Sequence, residues 1–218
     1  MYHRVAELKT DAWDLAVSPA NFECHLKILR KTGQVIPVEE LVERLKTGTL
    51  KRRSVVISFD DGYADNFSAA QPLLEDFKLP AAFFITSGLV AGSNAFWWDV
   101  LEYIFLAADQ LPPLFSRLVD GKLLEFDLSS EQQLSDDLRQ KHRQWKASEV
   151  PPTRRAALYY RLWQILKPLA HPAQQQELQY INAWAGIASS CPAEYARLPL
   201  EDLRQLRLPL VCPLVLTP

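Results

Sequence analysis

Two adjacent carboxylates followed by a glycine, Asp60-Asp61-Gly62, stand at the end of an apolar run in this sequence. The run, residues 54–59, is uncharged and rich in β-branched side chains, which is typical of a strand buried on both faces. Open α/β sheets and α/β barrels place their chemistry at the carboxyl ends of such strands. Because neighbouring side chains on a strand point to opposite faces, Asp60 and Asp61 are predicted to have different roles, one facing a metal and the other a reacting water or an orienting partner.

The segments around this strand alternate between helical and extended patterns. A helix with Ser18 as its N-cap is predicted before the strand, and a helix from about 64 to 77 is predicted after it. A third apolar run follows at residues 81–86. Strand, helix and strand at this spacing form a βαβ unit, which predicts a parallel sheet with a right-handed crossover.

The sequence changes character from about residue 95, where glutamine, leucine, tryptophan and charged residues dominate. This pattern predicts several helices that are separated by the proline pairs at 112–113 and 151–152, with a small hairpin around Gly121. Three parts are therefore predicted: an α/β part at 1–94, a mainly helical insertion at 95–197, and a helix with an irregular proline-rich tail at 198–218.

Composition excludes several classes of partner. The formal net charge of −2 gives no indication of nucleic acid or of an anionic membrane as a partner. Three cysteines without metal-ligand spacing argue against a disulfide framework or a thiolate zinc site and favour a reducing compartment. No apolar stretch reaches the length of about 18 residues that a membrane span needs. We expect a cytoplasmic protein as the sequence stands, with an export signal upstream as the alternative, because residues 1–5 resemble the end of a strand.

Three motifs together resemble the polysaccharide deacetylase family, also called carbohydrate esterase family 4 or the NodB-homology domain. They are Ser-Phe-Asp-Asp-Gly-Tyr-Ala-Asp-Asn at 58–66, Leu-Pro-Ala-Ala-Phe-Phe at 79–84 and Met-Tyr-His-Arg-Val at 1–5. Residues 96–99 also resemble the segment that precedes a helical insertion in one bacterial branch of the family. The resemblance covers about residues 1–101. It implies a distorted (β/α) barrel that uses a divalent metal, with zinc as the expected ion, to remove acetyl groups from amino sugars or other glycans.

Carried over residue by residue, the resemblance makes Asp60 the general base and Asp61 a metal ligand. A metal polarises the acetyl carbonyl and lowers the pKa of bound water, while a nearby carboxylate that does not bind the metal takes the proton. Thr86, at the end of the third apolar run, is expected to line the site. Trp97 and Trp98 are expected either to stack on sugar rings or to pack at a domain junction.

Other residues near the carboxylates are given structural roles. Gly62 is expected to allow a tight turn. Asp65 or Asn66 is expected to cap the following helix, with a substrate contact as the alternative. Residues 83–85 are expected to belong to the core.

The histidines depart from the family pattern. The family completes its metal site with a His-x-x-x-His motif, whereas the histidines here are His3, His25, His142 and His171, and no two have that spacing. By the resemblance, His3 lies near the mouth of the site and is a further candidate metal ligand. Where relatives carry the second motif, this sequence has its uncharged proline-rich tail. We therefore predict an incomplete barrel, through truncation or a frameshift, with a metal that binds weakly or not at all.

Three functions are compared on these grounds. The first is a metal-dependent glycan deacetylase that is impaired in this chain, and the alternative is a non-catalytic carbohydrate-binding or interaction module of the same fold. A glycosidase pair formed by Asp60 and Asp61 is disfavoured, because glycosidases need carboxyl groups about 5 to 9 Å apart across the scissile bond. The sequence predicts neither the particular glycan nor the oligomeric state.

Overall fold

The computed structural model describes residues 1–86, 95–119, 121–187 and 192–198, together with the main chain of 215–217. The chain divides into two compact units. The α/β unit comprises Met1–Leu8, Leu15–Gly92 and Ala196–Pro218, and the helical unit comprises Lys9–Asp14 and Ser93–Tyr195. Residues 9–14, which lie within the first predicted part, thus belong to the helical unit.

Strands and helices alternate along the chain. The strands are β1 (Arg4–Val5), β2 (Ala16–Val17), β3 (Gln34–Val35), β4 (Ser54–Val55), β5 (Ile57–Phe59), β6 (Ala81–Thr86), β7 (Leu114–Val119), β8 (Lys122–Asp127) and β9 (Val215–Thr217). The α-helices are α1 (Pro19–Thr32), α2 (Val38–Thr47), α3 (Gln71–Phe77), α4 (Trp97–Glu102), α5 (Asp136–Gln144), α6 (Arg154–Leu166) and α7 (His171–Ala185). Two π-helical turns, Asn66–Ala70 and Tyr103–Ala107, adjoin α3 and α4.

Parallel strand pairs form the framework of the α/β unit. β5 pairs with β6, and β6 pairs with β9, both in parallel. β1 pairs in parallel with β2, and β3 with β4. The predicted parallel βαβ arrangement is therefore confirmed for β5, the following helix and β6. The run at 54–59 was expected to be one strand, but it divides at Val56 because its first half pairs with β3 and its second half with β6.

Apolar side chains from α1 and the central strands make the core of this unit. Ser18 caps α1 by accepting a hydrogen bond from the main-chain N–H of Asn21 at 3.2 Å, as predicted. Phe22 and Leu26 on this helix are fully buried. The rings of Phe59 and Phe83 stack with their centroids 4.7 Å apart across the paired strands. This packing fixes β5 and β6 side by side, and the two carboxylates follow directly after β5.

The last described strand lies in the region predicted to be irregular. β9 pairs in parallel with Phe84–Thr86 of β6. Leu198 donates its main-chain N–H to the carbonyl of Gly62 at 2.9 Å. The rest of the helix predicted from residue 198, and most of the tail, lie outside the described residues.

The helical unit has a core of its own, to which α4, α6, α7 and the β7–β8 hairpin contribute. β7 and β8 are antiparallel, with Leu118 opposite Leu123, so the hairpin predicted around Gly121 is confirmed. The proline pairs at 112–113 and 151–152 lie between elements, as predicted. Arg155 is fully buried, and its guanidinium donates to the carbonyls of Ala108, Glu131 and Gln132.

The mixture of helices and parallel strands confirms the α/β class. The described strands do not establish a barrel, so the incomplete barrel stays a prediction. Among the described helices, none combines the length and the apolar character needed to cross a membrane.

Candidate active site

A strained turn carries the two carboxylates away from the end of β5. The N–H of Asp60 still donates to the carbonyl of Tyr2 at 3.0 Å, so this residue remains bonded to the neighbouring strand segment. The N–H of Gly62 donates to the carbonyl of Asp60 at 2.9 Å, across Asp61 with φ 73°. A bond between residues two apart around a positive φ is the pattern of a rare and strained type of γ-turn. Aspartate is among the L-residues that tolerate this conformation best.

Gly62 is required in this turn for two reasons. Its φ of 84° lies in the left-handed region, which side chains with a Cβ rarely adopt. A Cβ at this position would also lie 2.9 Å from Cγ2 of Ile85 on β6. The close approach of the turn to β6 therefore depends on glycine.

Asp60 and Asp61 line one open cleft of about 450 Å³, together with Met1, Ser58, Phe84 and Thr86. The two residues thus line the same cleft, and their predicted division of roles stays a prediction. The strand ends at Phe59 and the backbone of Asp61 is left-handed, so the alternation of an extended strand does not continue through the pair.

His3 lies against Asp61. Its Nδ1 is 3.0 Å from Oδ2 of Asp61, and the two side chains are 27% and 26% exposed. An ionised carboxylate only accepts hydrogen bonds, so Nδ1 of His3 carries the proton and donates it. The structure thus brings together two of the predicted site residues, at a pair of groups that solvent can reach.

The side chains of Asp65 and Asn66 bind the segment that carries His3. Oδ1 of Asp65 accepts the N–H of Val5 at 2.8 Å, and Oδ2 accepts Nε of Arg4 at 3.0 Å. Nδ2 of Asn66 donates to the carbonyl of His3 at 2.8 Å. The predicted helix cap is wrong, because the Asp65 side chain makes no capping bond and both residues reach a distant strand segment instead.

Thr86 lines the cleft, as predicted, and its main-chain N–H points to the carbonyl of Asp61 at 3.5 Å. Phe83 and Ile85 are buried, which confirms the core prediction for these two residues. Phe84 is only half-buried and lines the cleft. Strand alternation explains the difference, because Phe84 and Thr86 share one face of β6 while Phe83 and Ile85 occupy the other.

Trp97 and Trp98 belong to the helical unit, where both take part in aromatic packing. Trp97 packs against the core of that unit, and its ring centroid lies 6.1 Å from that of Trp163. Trp98 stacks on Phe96 with ring centroids 4.5 Å apart. These contacts support the predicted alternative in which both tryptophans are packing residues. Stacking of either ring on a sugar stays a prediction.

The other histidines lie in different environments. Nδ1 of His25 is 3.1 Å from the hydroxyl of Tyr2, and burial raises the pKa of that tyrosine. His142 is fully buried in the helical unit, where its ring nitrogens contact the carbonyl of Leu106 and the hydroxyl of Thr153. His171 begins α7. None of these three contacts Asp61 in the described part of the chain.

The donors present do not form a complete metal site. A carboxylate oxygen and an unprotonated imidazole nitrogen are donor types that zinc accepts, so His3 would bind an ion either through Nε2 or after Nδ1 has lost the proton that it donates to Asp61. Catalytic zinc sites use three protein ligands and leave a position for water. No group of three histidine, cysteine, aspartate or glutamate side chains with suitable geometry occurs among the described residues. Asp61 in the cleft and His3 beside it therefore offer two adjacent donors where three are usual.

Comparison with known proteins gives matches to the region around this cleft. Residues 47–120 match the family model "Polysaccharide deacetylase". Poly-beta-1,6-N-acetyl-D-glucosamine N-deacetylase from Staphylococcus aureus strain MSSA476 is 34% identical over 88 residues, which are 40% of this chain and 30% of that protein. The same enzyme from strain MRSA252 is 32% identical over 88 residues, with the same coverage. The match thus spans less than a third of the length of these relatives.

Solved structures give partial overlaps. The Streptococcus pyogenes deacetylase PplD in complex with acetate is 25% identical, with a TM-score of 0.38, and the overlap covers 41% of this chain and 42% of that one. IcaB from Ammonifex degensii is 26% identical, with a TM-score of 0.39, and the overlap covers 47% of this chain and 46% of that one. At TM-scores this low, neither overlap establishes the fold of this chain.

Proposed function

We propose that this chain is a polysaccharide deacetylase relative, as the match at residues 47–120 supports, and that its cleft is the site of a hydrolase that removes acetyl groups from a polysaccharide or an amino-sugar glycan. The observation that supports this most is the grouping of Asp60, Asp61 and Thr86 in one open cleft, with His3 against Asp61. A concave site with a few converging polar groups is the usual form of a small-molecule or substrate site.

Each side chain has a proposed role in hydrolysis. Asp60 is the general base that takes the proton from the water attacking the acetyl carbonyl. Asp61 and His3 hold one another in a fixed arrangement beside it. Phe84 and Thr86 form the wall against which the acetyl-bearing sugar rests. The names of the relatives given above specify poly-beta-1,6-N-acetyl-D-glucosamine as their substrate. An N-acetylated glucosamine glycan is therefore the first substrate to test.

We further propose that a divalent metal, with zinc as the expected ion, binds weakly to Asp61 and His3. When bound, such an ion supplies Lewis-acid polarisation of the acetyl carbonyl. The Asp61–His3 pair supplies two donors and falls short of the three that hold catalytic zinc firmly. We therefore expect low activity, which added metal raises only partly.

Acetate release tests the proposal. The protein is incubated with an oligomer of N-acetylglucosamine and excess zinc, and free acetate is measured for the unsubstituted protein and for Asp60→Asn. We expect slow release that falls by about 10²-fold in Asp60→Asn, the usual contribution of a general base. Asp76→Asn is the matched control, because Asp76 is exposed on α3 and does not line the cleft.

Two results would contradict this function. Equal release by the protein and by Asp60→Asn would remove Asp60 from the reaction. Binding of the oligomer without any acetate release would favour the non-catalytic carbohydrate-binding module instead.

A further inference from the structure

We propose that Asn66, assisted by Asp65, is a positioning residue that holds His3 in contact with Asp61. The inference rests on the proposed function, since it concerns how His3 is held against Asp61 of the cleft, but the geometry can be tested without any activity. Asn66 itself is only 1% exposed and does not line the cleft.

The main chain of His3 lies between two residues that are bound to different strands. Tyr2 bridges Phe59 in parallel fashion, and Arg4 pairs with Ala16. His3 falls between these attachments and belongs to neither ladder. Its carbonyl accepts Nδ2 of Asn66 at 2.8 Å. This side-chain bond therefore fixes the peptide of the residue whose imidazole contacts Asp61.

Asp65 fixes the two residues that follow His3. Its carboxylate accepts the N–H of Val5 at 2.8 Å and Nε of Arg4 at 3.0 Å. Arg4 is 3% exposed, and its guanidinium also lies over the ring of Tyr63 at 4.4 Å from the centroid. A charge-assisted bond in such a buried place is stronger than a neutral one. Two consecutive side chains thus bind three consecutive residues of the β1 segment.

Asp65 and Asn66, which bind the β1 segment, lie in the same short piece of chain as the carboxylate of Asp61. Asn66 donates its main-chain N–H to the carbonyl of Tyr63 at 3.1 Å, directly after the turn at Asp61 and Gly62. The position of His3 relative to Asp61 is therefore set within residues 61–66. Asn66, which holds His3, lies only five residues after Asp61, which His3 contacts, so the backbone between them has few degrees of freedom.

The side-chain amide of Asn66 is only partly satisfied. Its Oδ1 is buried and has no hydrogen-bond partner among the described residues. A buried acceptor without a partner lowers stability, and an apolar side chain of similar size would avoid this loss. The bond from Nδ2 to His3 is the feature that an apolar side chain could not supply.

The Nδ1–H proton of His3 reports the proposed positioning directly. In protein labelled with ¹⁵N-histidine, a hydrogen bond to Asp61 slows exchange of this proton with water. His3→Gln assigns the resonance. The Nδ1–H of His142 donates to the carbonyl of Leu106 in the helical unit and serves as an internal reference in the same spectrum.

Asn66→Asp keeps the size of the side chain and replaces the donor with an acceptor that faces the His3 carbonyl. We expect exchange of the His3 proton to accelerate about tenfold, as for the loss of one hydrogen bond, with the His142 proton unchanged. Ser68→Ala is the matched control, because Ser68 lies on the same π-helical turn and its hydroxyl bonds only the carbonyl of Ala64 at 3.2 Å. Leu74→Val, in the core of the same unit, controls for lowered stability alone.

Several results would overturn the inference. One is an exchange rate of the His3 Nδ1–H proton that Asn66→Asp leaves unchanged. Another is an equal acceleration of this exchange in Leu74→Val, when the two variants are matched for stability. If Asn66→Asp does not fold, the unsubstituted protein still decides, because the Nδ2 protons of Asn66 must show nuclear Overhauser contacts to the main chain of His3 and Arg4. Absence of these contacts would refute the proposed binding of the His3 main chain by Asn66. Acetate release is measured separately, so an inactive protein with the expected exchange pattern would contradict the proposed function and leave the positioning intact.

Discussion

The left-handed backbone at Asp61 determines how the two carboxylates of the motif are presented. In a continuing strand neighbouring side chains would alternate between faces, whereas here the strand ends before the pair and both residues line one cleft. The conformation is costly for a residue with a side chain and persists where the surroundings determine it. Those surroundings are the glycine that follows, the bond from Asp60 to Tyr2 and the contact with His3.

Gly62→Ala tests this dependence on glycine. We expect it to lower the free energy of unfolding by about 1–3 kcal/mol more than Gly48→Ala does, the usual range for overpacking. Gly48 is the matched control, because it has φ 68° but a Cβ there would meet nothing within 4 Å. The measurement is urea unfolding followed by circular dichroism. Equal losses in the two variants would show that the approach of Ile85 does not matter.

The sequence identifies the cleft residues in part. Asp60, Asp61 and Thr86 follow from strand ends and from the family motif, and all three line the cleft. The roles of Asp65 and Asn66 could not be predicted, because their partners on β1 lie about sixty residues away and local pattern suggested only a helix cap. Phe84 could have been found from strand alternation with Thr86.

At the scale of elements, the predictions that depend on local sequence agree best with the structure. The cap of α1 and the β7–β8 hairpin depend on neighbouring residues and are confirmed. The run at 54–59 divides between two partners, and a partner strand is not visible in the run itself. The β-propensity of residues 54–59 therefore indicates that the run is extended, whereas its pairing with β3 and then with β6 determines where one strand ends and the next begins.

A buried histidine connects α5 to the start of α6 in the helical unit. Nε2 of His142 is 2.8 Å from the hydroxyl of Thr153, which also caps α6 by accepting the N–H of Ala156. Burial lowers the pKa of His142, and the nearby Arg155 lowers it further, while the carbonyl of Leu106 and the carboxylate of Glu131 act in the opposite direction. The neutral imidazole is thus the form that suits the folded state.

This environment predicts that the helical unit loses stability in mild acid. The unfolded chain takes up the proton at the ordinary histidine pKa of about 6.5, before the folded chain does. The contribution of His142 is therefore present above that pH and is lost as the pH falls below it. Urea unfolding between pH 8 and pH 5, followed by tryptophan fluorescence, should show the decline in the unsubstituted protein and a smaller one in His142→Gln. The matched control is His171→Gln, at an exposed position on α7, and an equal slope in all three proteins would contradict the account.

At the scale of the whole molecule, each unit has its own hydrophobic core. Phe22 and Phe59 belong to the core of the α/β unit, and Leu162 and Tyr159 to that of the helical unit. All six tryptophans, Trp13, Trp97, Trp98, Trp145, Trp163 and Trp184, belong to the helical unit. Tryptophan fluorescence therefore reports on that unit, while circular dichroism reports on both.

Separate cores predict separate responses to core truncation. Phe22→Ala should cost about 3–5 kcal/mol in the α/β unit and move part of the circular dichroism transition, with the fluorescence midpoint in urea unchanged. Leu162→Ala is the reciprocal control and should move the fluorescence midpoint. If Phe22→Ala shifts fluorescence as much as circular dichroism, the two units unfold as one.

We propose above that Asp61 and His3 are two donors of a metal-dependent deacetylase site, and zinc binding is therefore the property to measure. Calorimetric titration with zinc measures this most directly, using the unsubstituted protein, Asp61→Ala and His3→Ala, with His25→Ala as the control in the same unit. We predict weak binding at one site that is lost in Asp61→Ala and in His3→Ala and is retained in His25→Ala. Tight one-to-one binding that Asp61→Ala abolishes would show a complete site, and binding that Asp61→Ala leaves unchanged would show that the cleft is not the metal site.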